Sequence, residues 1–456
     1  MLKIVSPLCA FSLYLCWLFE GGIGRFGSMH NQIVATLLIT MIFSSLAGIV
    51  STKRYNRQEI GDNIDENAFT YNIMLWIALL SALPYFKDRH HVDILVAVGV
   101  VAAASSLLTK KRFISTATKL LIDGTCVLSA GIHFRLVSID RFAFGRNSDM
   151  LVLVKKALTS FMSGENPYQF HIMDQTKQIY QLPLTYLPAK WLAYLPAHLL
   201  SADLRITNII AEALIFVLLA VLLLRTSRTR STAPLLGMGS LYVYFLNGYF
   251  MHRVDTEIPV YCLIITIVFL LFVKGWNRLG YIALGIGLAA SQLTLLLIPF
   301  IAWRTFKTHG VKTTALLIGL MLFTAAAILV PFIIPDPASF KAGLVDHWAS
   351  VAKNDYEWAI RNIVNLNLSP HFFKHNNQWL LQYIQASLCA VIFAIYTWRK
   401  AYMTNAGVWS FCALTTFIFL LFNIITWTYL FQPVLLMATL SICALENMSG
   451  RENVAK

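Results

Sequence analysis

The chain has 456 residues, of which 57% are hydrophobic and only 13% charged. A soluble globular chain carries about 25% charge, so the polar surface here is too small to cover a water-exposed exterior. The net charge of +14 does not point to nucleic acid, because no soluble basic domain accompanies it; lysines and arginines beside anionic lipid headgroups account for it.

About 20 mostly apolar residues cross the hydrocarbon core. Five such runs come first, at 4–19, 33–50, 73–85, 94–108 and 113–134. The first lacks the basic start and small-residue cleavage site of a signal peptide, so it reads as a retained span. Inside the fifth, Lys119 and Asp123 stand four residues apart, and a neutralising pair on one helix face is expected. A polar loop over 135–205 follows. Further runs lie at 206–224, 234–250, 258–273, 315–334, 379–398, 408–422 and 427–445. Glu212 is isolated in the first of these and is expected to face Asn208 or another helix. The stretch 279–303 is interrupted by Ser291 and Gln292, and it fits either one long helix or two short ones.

Lys and Arg in short loops mark the cytoplasmic side. Such clusters occur at Lys53/Arg54/Arg57, Lys110/Lys111/Arg112, Arg225/Arg228/Arg230, Lys274/Arg278, Arg304/Lys307/Lys312 and Arg399/Lys400. All six fall on one side if the N-terminus is cytoplasmic and 279–303 is a helix pair turning at Ser291–Gln292. The expected fold is therefore all-α, a polytopic transmembrane helical bundle of about 14 spans. Its parts are N-terminal helices (1–134), a long extracytoplasmic loop with interfacial helices (135–205), central helices (206–334), a second extracytoplasmic loop (335–378), and C-terminal helices with a cytoplasmic tail (379–456). All seven cysteines fall in apolar segments and read as packing residues. No CxxC or HExxH pattern appears, so no metal site is legible.

Long loops between spans are commonly functional. In the first one, Asp149 opens a stretch with Met150, Val154, Ala157, Leu158 and Phe161 on one helical face. Ser148 is the expected N-cap and Gly164 the expected residue after the C-cap. Glu165-Asn166-Pro167-Tyr168 forms a turn. The run 182–200, holding Pro183, Pro188, Pro196 and Lys190, is too broken to cross and reads as a helix lying at the membrane surface.

These residues carry a resemblance. An acidic residue, then "G-x-N-P-Y", then "Y-x-x-P-L" and an apolar prolyl helix resembles the polytopic glycosyltransferases of the GT-C fold, most closely family 87, which uses polyprenyl-phosphate sugars. The matching residues are Asp149, Gly164, Asn166, Pro167, Tyr168, Tyr180, Pro183 and Leu184. The segments 284–300, 369–380 and 426–433 are similar to three later motifs of that family. Gln292 stands where the family often has Lys.

The resemblance implies transfer of a sugar from a polyprenyl-phosphate donor to an acceptor hydroxyl on a cell-surface glycan, glycolipid or protein. It implies inversion, an extracytoplasmic site, and a multi-pass protein of a bacterial inner or plasma membrane. Asp149 is the expected base, with Asp140 as the fallback. Lys155, Lys156, His252, Arg253 and Gln292 are the expected donor-phosphate ligands. Glu165, Asn166, Tyr168, Tyr180, Asp255 and His371 are the expected substrate contacts. The resemblance fixes no cofactor with certainty and leaves room for a divalent cation.

Plainer roles compete at each position. Asp149 also fits a helix N-terminal charge, the two lysines fit snorkelling anchors, and the tyrosines fit interface aromatics. Two other functions share this outline. An O-antigen-type polymerase or ligase would lean on arginine pairs in the loop. A lipid-linked-sugar flippase or transporter would show repeated halves and charged midplane residues.

Overall fold

The computed structural model describes residues 64–444, apart from 84, 87, 146–147, 176–177, 227–232, 348–377 and 424–427. The expected spans 4–19 and 33–50, the cluster Lys53/Arg54/Arg57, and His371 lie outside the described residues.

Among the described residues, three helices come first: α1 (Ile64–Ala82), α2 (Arg89–Lys110) and α3 (Thr116–Arg141). After α3 come α4 (Met150–Met162), the strands β1 (Phe170–Gln175) and β2 (Gln178–Pro183), then α5 (Pro188–Leu192) and α6 (Leu195–Leu199). The central helices are α7 (Arg205–Thr226), α8 (Ala233–Phe245), the short α9 (Gly248–His252), α10 (Ile258–Val273), α11 (Asn277–Leu288) and α12 (Ile298–Ile333). The rest are α13 (Pro337–Lys341), α14 (Gln378–Trp398), α15 (Asn405–Leu421) and α16 (Gln432–Ala444).

Among the described residues, four helical stretches are long and apolar enough to cross a membrane: Arg89–Lys110, Thr116–Arg141, Arg205–Arg225 and Gln292–Ile333. This is a membrane protein by the chemistry of its surfaces. Along α2, Leu95, Val98, Ala102 and Ser105 face the bundle, while Val96, Val100 and Leu107 are left exposed. Such an apolar exterior is stable only against lipid. α10 is apolar all round and is buried accordingly. Its neighbours α15 and α16 are buried along nearly their whole length.

The bundle has two ends: Ser81 near the end of α1 donates to the Leu246 carbonyl after α8 at 3.1 Å at one of them, and Asn277 at the start of α11 meets His309 at 2.9 Å at the other. One end, the loop face, carries residues 142–204, the α8–α10 connection and residues 334–347. The other end carries Lys110–Arg112, Arg225, Lys274, Arg278, Lys307, Lys312, Arg399 and Lys400.

The stretch 279–303 is a helix pair. α11 ends at Leu288, a 3-10 turn fills Gln292–Leu296, and α12 heads back. Ser291 Oγ accepts from the Leu293 amide at 3.4 Å. α12 then folds back on itself at Gly310, whose φ of 81° suits glycine. Residues 298–309 descend and residues 311–333 return. At 1.5 Å per residue the twelve-residue α11 spans about 18 Å, too short to cross alone. The apex sits under α5, and the Ala189 amide donates to the Ala289 carbonyl at 3.0 Å. Irregular backbone at depth is tolerated where protein covers it.

The described residues are mostly helical, as expected, with one addition and two corrections. First, the loop face also holds a β-hairpin: β1 pairs antiparallel with β2, Phe170 opposite Pro183. Strand formers Phe170, Ile172, Ile179 and Tyr180 flank a polar turn there. Second, the loop begins not at 135 but after Arg141. α3 continues through Arg135 because its guanidinium is paired inside the bundle with Glu212 and also donates to the Phe245 carbonyl at 2.9 Å. Third, the run 182–200 is not one interfacial helix. It is the end of β2 and two five-residue helices, each restarted by a proline in its first turn.

The layer over the loop face has its own core. Leu151, Val154, Ala157 and Leu158 of α4 pack with Tyr168, Leu184, Trp191 and Tyr194. Phe332 rises from α12 to meet the Trp191 ring at 5.4 Å, edge to face. α4 ends as expected, with Gly164 at φ 75°. Lys156 Nζ tethers the hairpin through the Ile172 carbonyl.

Candidate functional site

The site grows from the connection between α9 and α10. Asn247 caps α9 by accepting from the Phe250 amide at 3.3 Å. The chain then turns, and Asn208 of α7 fixes the turn. Its Nδ2 donates to the Val254 and Thr256 carbonyls at 2.8 and 2.6 Å, and its Oδ1 accepts from the Tyr194 hydroxyl at 2.6 Å. This clamp presents Asp255 and Glu257. Glu257 sits at the N-terminus of α10, where the helix dipole favours a negative charge.

Glu257 is 2% exposed. Lys190 of α5 reaches its Oε1 at 3.3 Å, and the ammonium also lies 5.5 Å from the Tyr186 ring. Glu257 Oε2 and Asp255 Oδ1 are buried with no hydrogen-bond partner among the described residues. A buried acceptor left unsatisfied costs free energy, and a ligand donor recovers it. Burial pushes the Asp255 carboxyl up from its ordinary pKa, against Arg253 and Arg205, while the Asp149 charge adds to the rise.

Asp149 reaches the same place from α4. Its side chain is not used to cap that helix. Its charge acts on Tyr186, Asp255, His347 and Tyr429. Burial holds the Tyr186 and Tyr429 hydroxyls well above the usual phenol value, and Glu257 and Asp149 push them further. Burial lowers His347, and the Asp149 carboxylate works against that. The loop face thus gathers Asp149, Asp255 and Glu257 beside Arg253, Lys190 and two tyrosines.

His252 borders this group. Its ring lies between Tyr85, at 5.3 Å, and Phe142, edge-on at 4.8 Å. Burial, then the charges of Arg253 and Arg141, lower its pKa to about 4, so the ring is neutral at pH 7. Its Nδ1 is buried and has no partner among the described residues. A neutral imidazole flanked by two arginines suits a phosphate oxygen.

The structure therefore brings together Asp149, His252, Arg253 and Asp255 of the expected residues. Others go elsewhere. Lys155 is exposed and lines a separate cavity of about 300 Å³ with His198, Ser201 and Asp203. Lys156 is committed to the hairpin. Asn166 closes its own turn by accepting from the Tyr168 amide at 2.9 Å, and it donates to Asp336 at 3.0 Å. Tyr168 is buried, donates to the Tyr186 carbonyl at 2.9 Å and accepts from the Trp191 indole at 3.3 Å. Glu165 is exposed beside Gln169. Gln292 is exposed at the apex under α5. Tyr180 stands in β2 opposite Met173, and its side chain lies outside the described part. His371 lies outside it entirely.

Lys190, Tyr186, Glu257, His347 and Tyr429 were not among the expected site residues. One signal was present: Lys190 is a lone charge in an apolar run, and a buried charge demands a partner. Among the described residues, no group of three His, Cys, Asp or Glu side chains is placed to hold a metal ion. Compared with protein-family models, curated proteins and solved structures, the chain matches none.

Proposed function

We propose that the chain is a membrane glycosyltransferase that moves a sugar from a polyprenyl-phosphate donor to an acceptor hydroxyl. In this reading it is a multi-pass GT-C-type bundle of about 14 spans, and the loop face is extracytoplasmic. The observation that carries it is the gathering of Asp149, Asp255 and Glu257 beside arginines at one end of an apolar bundle, with Asp255 Oδ1 and Glu257 Oε2 buried and without a hydrogen-bond partner among the described residues. A lipid's head and a water-borne hydroxyl meet at that depth.

The chemistry follows in one displacement. Asp149 takes the proton of the acceptor hydroxyl. The acceptor oxygen attacks the anomeric carbon, and the bond from that carbon to the phosphate oxygen breaks. The polyprenyl phosphate leaves with the electron pair, and Arg253 stabilises the developing charge while His252 contacts the phosphate. A single displacement inverts the anomeric configuration. Asp255 and Glu257 accept hydrogen bonds from sugar hydroxyls, which satisfies their buried oxygens.

The test is Asp149→Asn in membranes supplied with polyprenyl-phosphate sugars. Transfer is expected to fall about 10²–10⁴-fold, the usual worth of a general base, with unchanged thermal unfolding. Full transfer by the folded variant rules Asp149 out as the base.

A further inference from the structure

At the end of the bundle away from the carboxylate cluster, a cavity of about 480 Å³ opens between the start of α11 and the fold-back of α12. Its walls have two chemistries. Arg278, His309 and Thr313 give a polar side, while Trp276, Leu316 and Leu317 give an apolar one. His309 is held in place by Asn277, at 2.9 Å. On the apolar side Trp276 is 53% and Leu316 68% exposed, while Leu317 is buried at its floor. A Cβ built on Gly310, at the fold-back, meets nothing within 4 Å.

The charge here is one-sided. Between residues 258 and 335 the chain carries Lys274, Arg278, Arg304, Lys307 and Lys312, and no Asp or Glu at all. Two of these cations lie by aromatic rings, Lys274 at 5.0 Å from Trp276 and Lys307 at 4.8 Å from Trp303. Aromatic rings and basic side chains gather in this way at headgroup level. A cavity that is cationic on one wall, apolar on the other, and set at the end of membrane-length helices matches one ligand chemistry. The ligand has a phosphate at its head and an acyl chain below.

We propose that this cavity binds the headgroup of an anionic glycerophospholipid. The phosphate sits on Arg278 and His309, and one acyl chain runs along Leu316 and Leu317. Basic pockets between membrane helices bind lipid heads in this manner. The site is separate from the carboxylate cluster, so it stands whether or not sugar transfer is the activity.

The test uses the full chain in nanodiscs of mixed phosphatidylglycerol and phosphatidylcholine, with retained lipid read by native mass spectrometry. The wild-type protein is expected to retain phosphatidylglycerol preferentially. Arg278→Ala is expected to lower that preference about fivefold, the worth of one basic side chain near a charged lipid surface. Lys400→Ala, at the same end of the bundle but outside the cavity, is expected to leave it unchanged. Should Arg278→Ala fail to fold, His309→Ala carries the same expectation. An equal loss in Lys400→Ala, or none in Arg278→Ala, overturns the proposal. So does displacement of the lipid by millimolar inorganic phosphate, which would mark a free-phosphate site.

Discussion

Two buried charge clusters in this protein are built on opposite terms. Deep between α1, α2, α3 and α8, Asp123 accepts from Lys119 at 2.6 Å, Tyr71 at 2.6 Å and Ser105 at 2.7 Å. Lys119 also donates to Ser105 at 3.1 Å, and the Tyr71 and Tyr242 hydroxyls lie 3.3 Å apart. Both carboxylate oxygens of Asp123 are satisfied inside the protein. At the loop face, Glu257 has one oxygen on Lys190, and its other oxygen and Asp255 Oδ1 have no partner among the described residues. A closed network rigidifies the bundle. An open one keeps acceptors in reserve for a ligand. Intramembrane charge is by default a functional hypothesis, and satisfaction of its hydrogen bonds is what separates the two cases here.

The sharpest way to break this comparison is Lys119→Met. It leaves Asp123 charged and buried without its cation, which costs about 3–5 kcal/mol. Adding Asp123→Leu removes the stranded charge and is expected to recover a large part of the loss. Unfolding titrations in mixed micelles read both. A Lys119→Met protein as stable as wild type would sink the architectural reading.

A second measurement concerns the rim of the open cluster. His252 has its pKa lowered from 6.5 to about 4. The unfolded chain therefore binds more protons than the folded one between those values. The stabilisation is fully present above pH 6.5 and is lost as pH falls towards 4. The loss is on the order of 2 kcal/mol. Thermal unfolding of the reconstituted protein at pH 7 and pH 4.5 measures it, and His252→Gln should flatten that part of the profile.

A smaller effect is expected in the loop layer. Tyr168→Phe strands the Trp191 indole N–H and the Tyr186 carbonyl, at a cost of about 1–2 kcal/mol. If Tyr168 is only a strut, its variant should lose stability in the layer, seen as faster amide exchange over α4 and α5. Transfer per folded molecule should then hold.

Much of the bundle was legible because lipid imposes length and composition on each helix. The limits of α10 coincide with the apolar run at 258–273. The turn at Ser291 and the C-terminal glycine of α4 follow from local chemistry and appear as expected. The hairpin was missed because its strands are short and polar, and pairing across six residues leaves little periodic signal. The extension of α3 was missed because Arg135 looks like a terminator until Glu212, 77 residues away, is seen beside it. The site was legible only in its local part. Asp149, His252, Arg253 and Asp255 stand in motifs or turns, whereas Lys190 meets Glu257 across 67 residues, a contact that no spacing encodes.

The smallest stability effect bears most directly on the comparison. Asp255→Asn keeps the shape of the side chain and removes a carboxyl that burial already pushes towards its neutral form. Its Oδ1 has no partner among the described residues to lose. The substitution should cost less than about 1 kcal/mol, below the net worth of a typical hydrogen bond, where Lys119→Met costs several times more. If Asp255 contacts substrate, transfer must nonetheless fall, and KM should rise more than kcat drops, because a hydroxyl exchanges a carboxyl acceptor for a weaker amide one in both ground and transition states. A destabilised Asp255→Asn protein would mean that the cluster is closed after all, by a partner inside the chain. The orphaned oxygens would then no longer argue for a ligand.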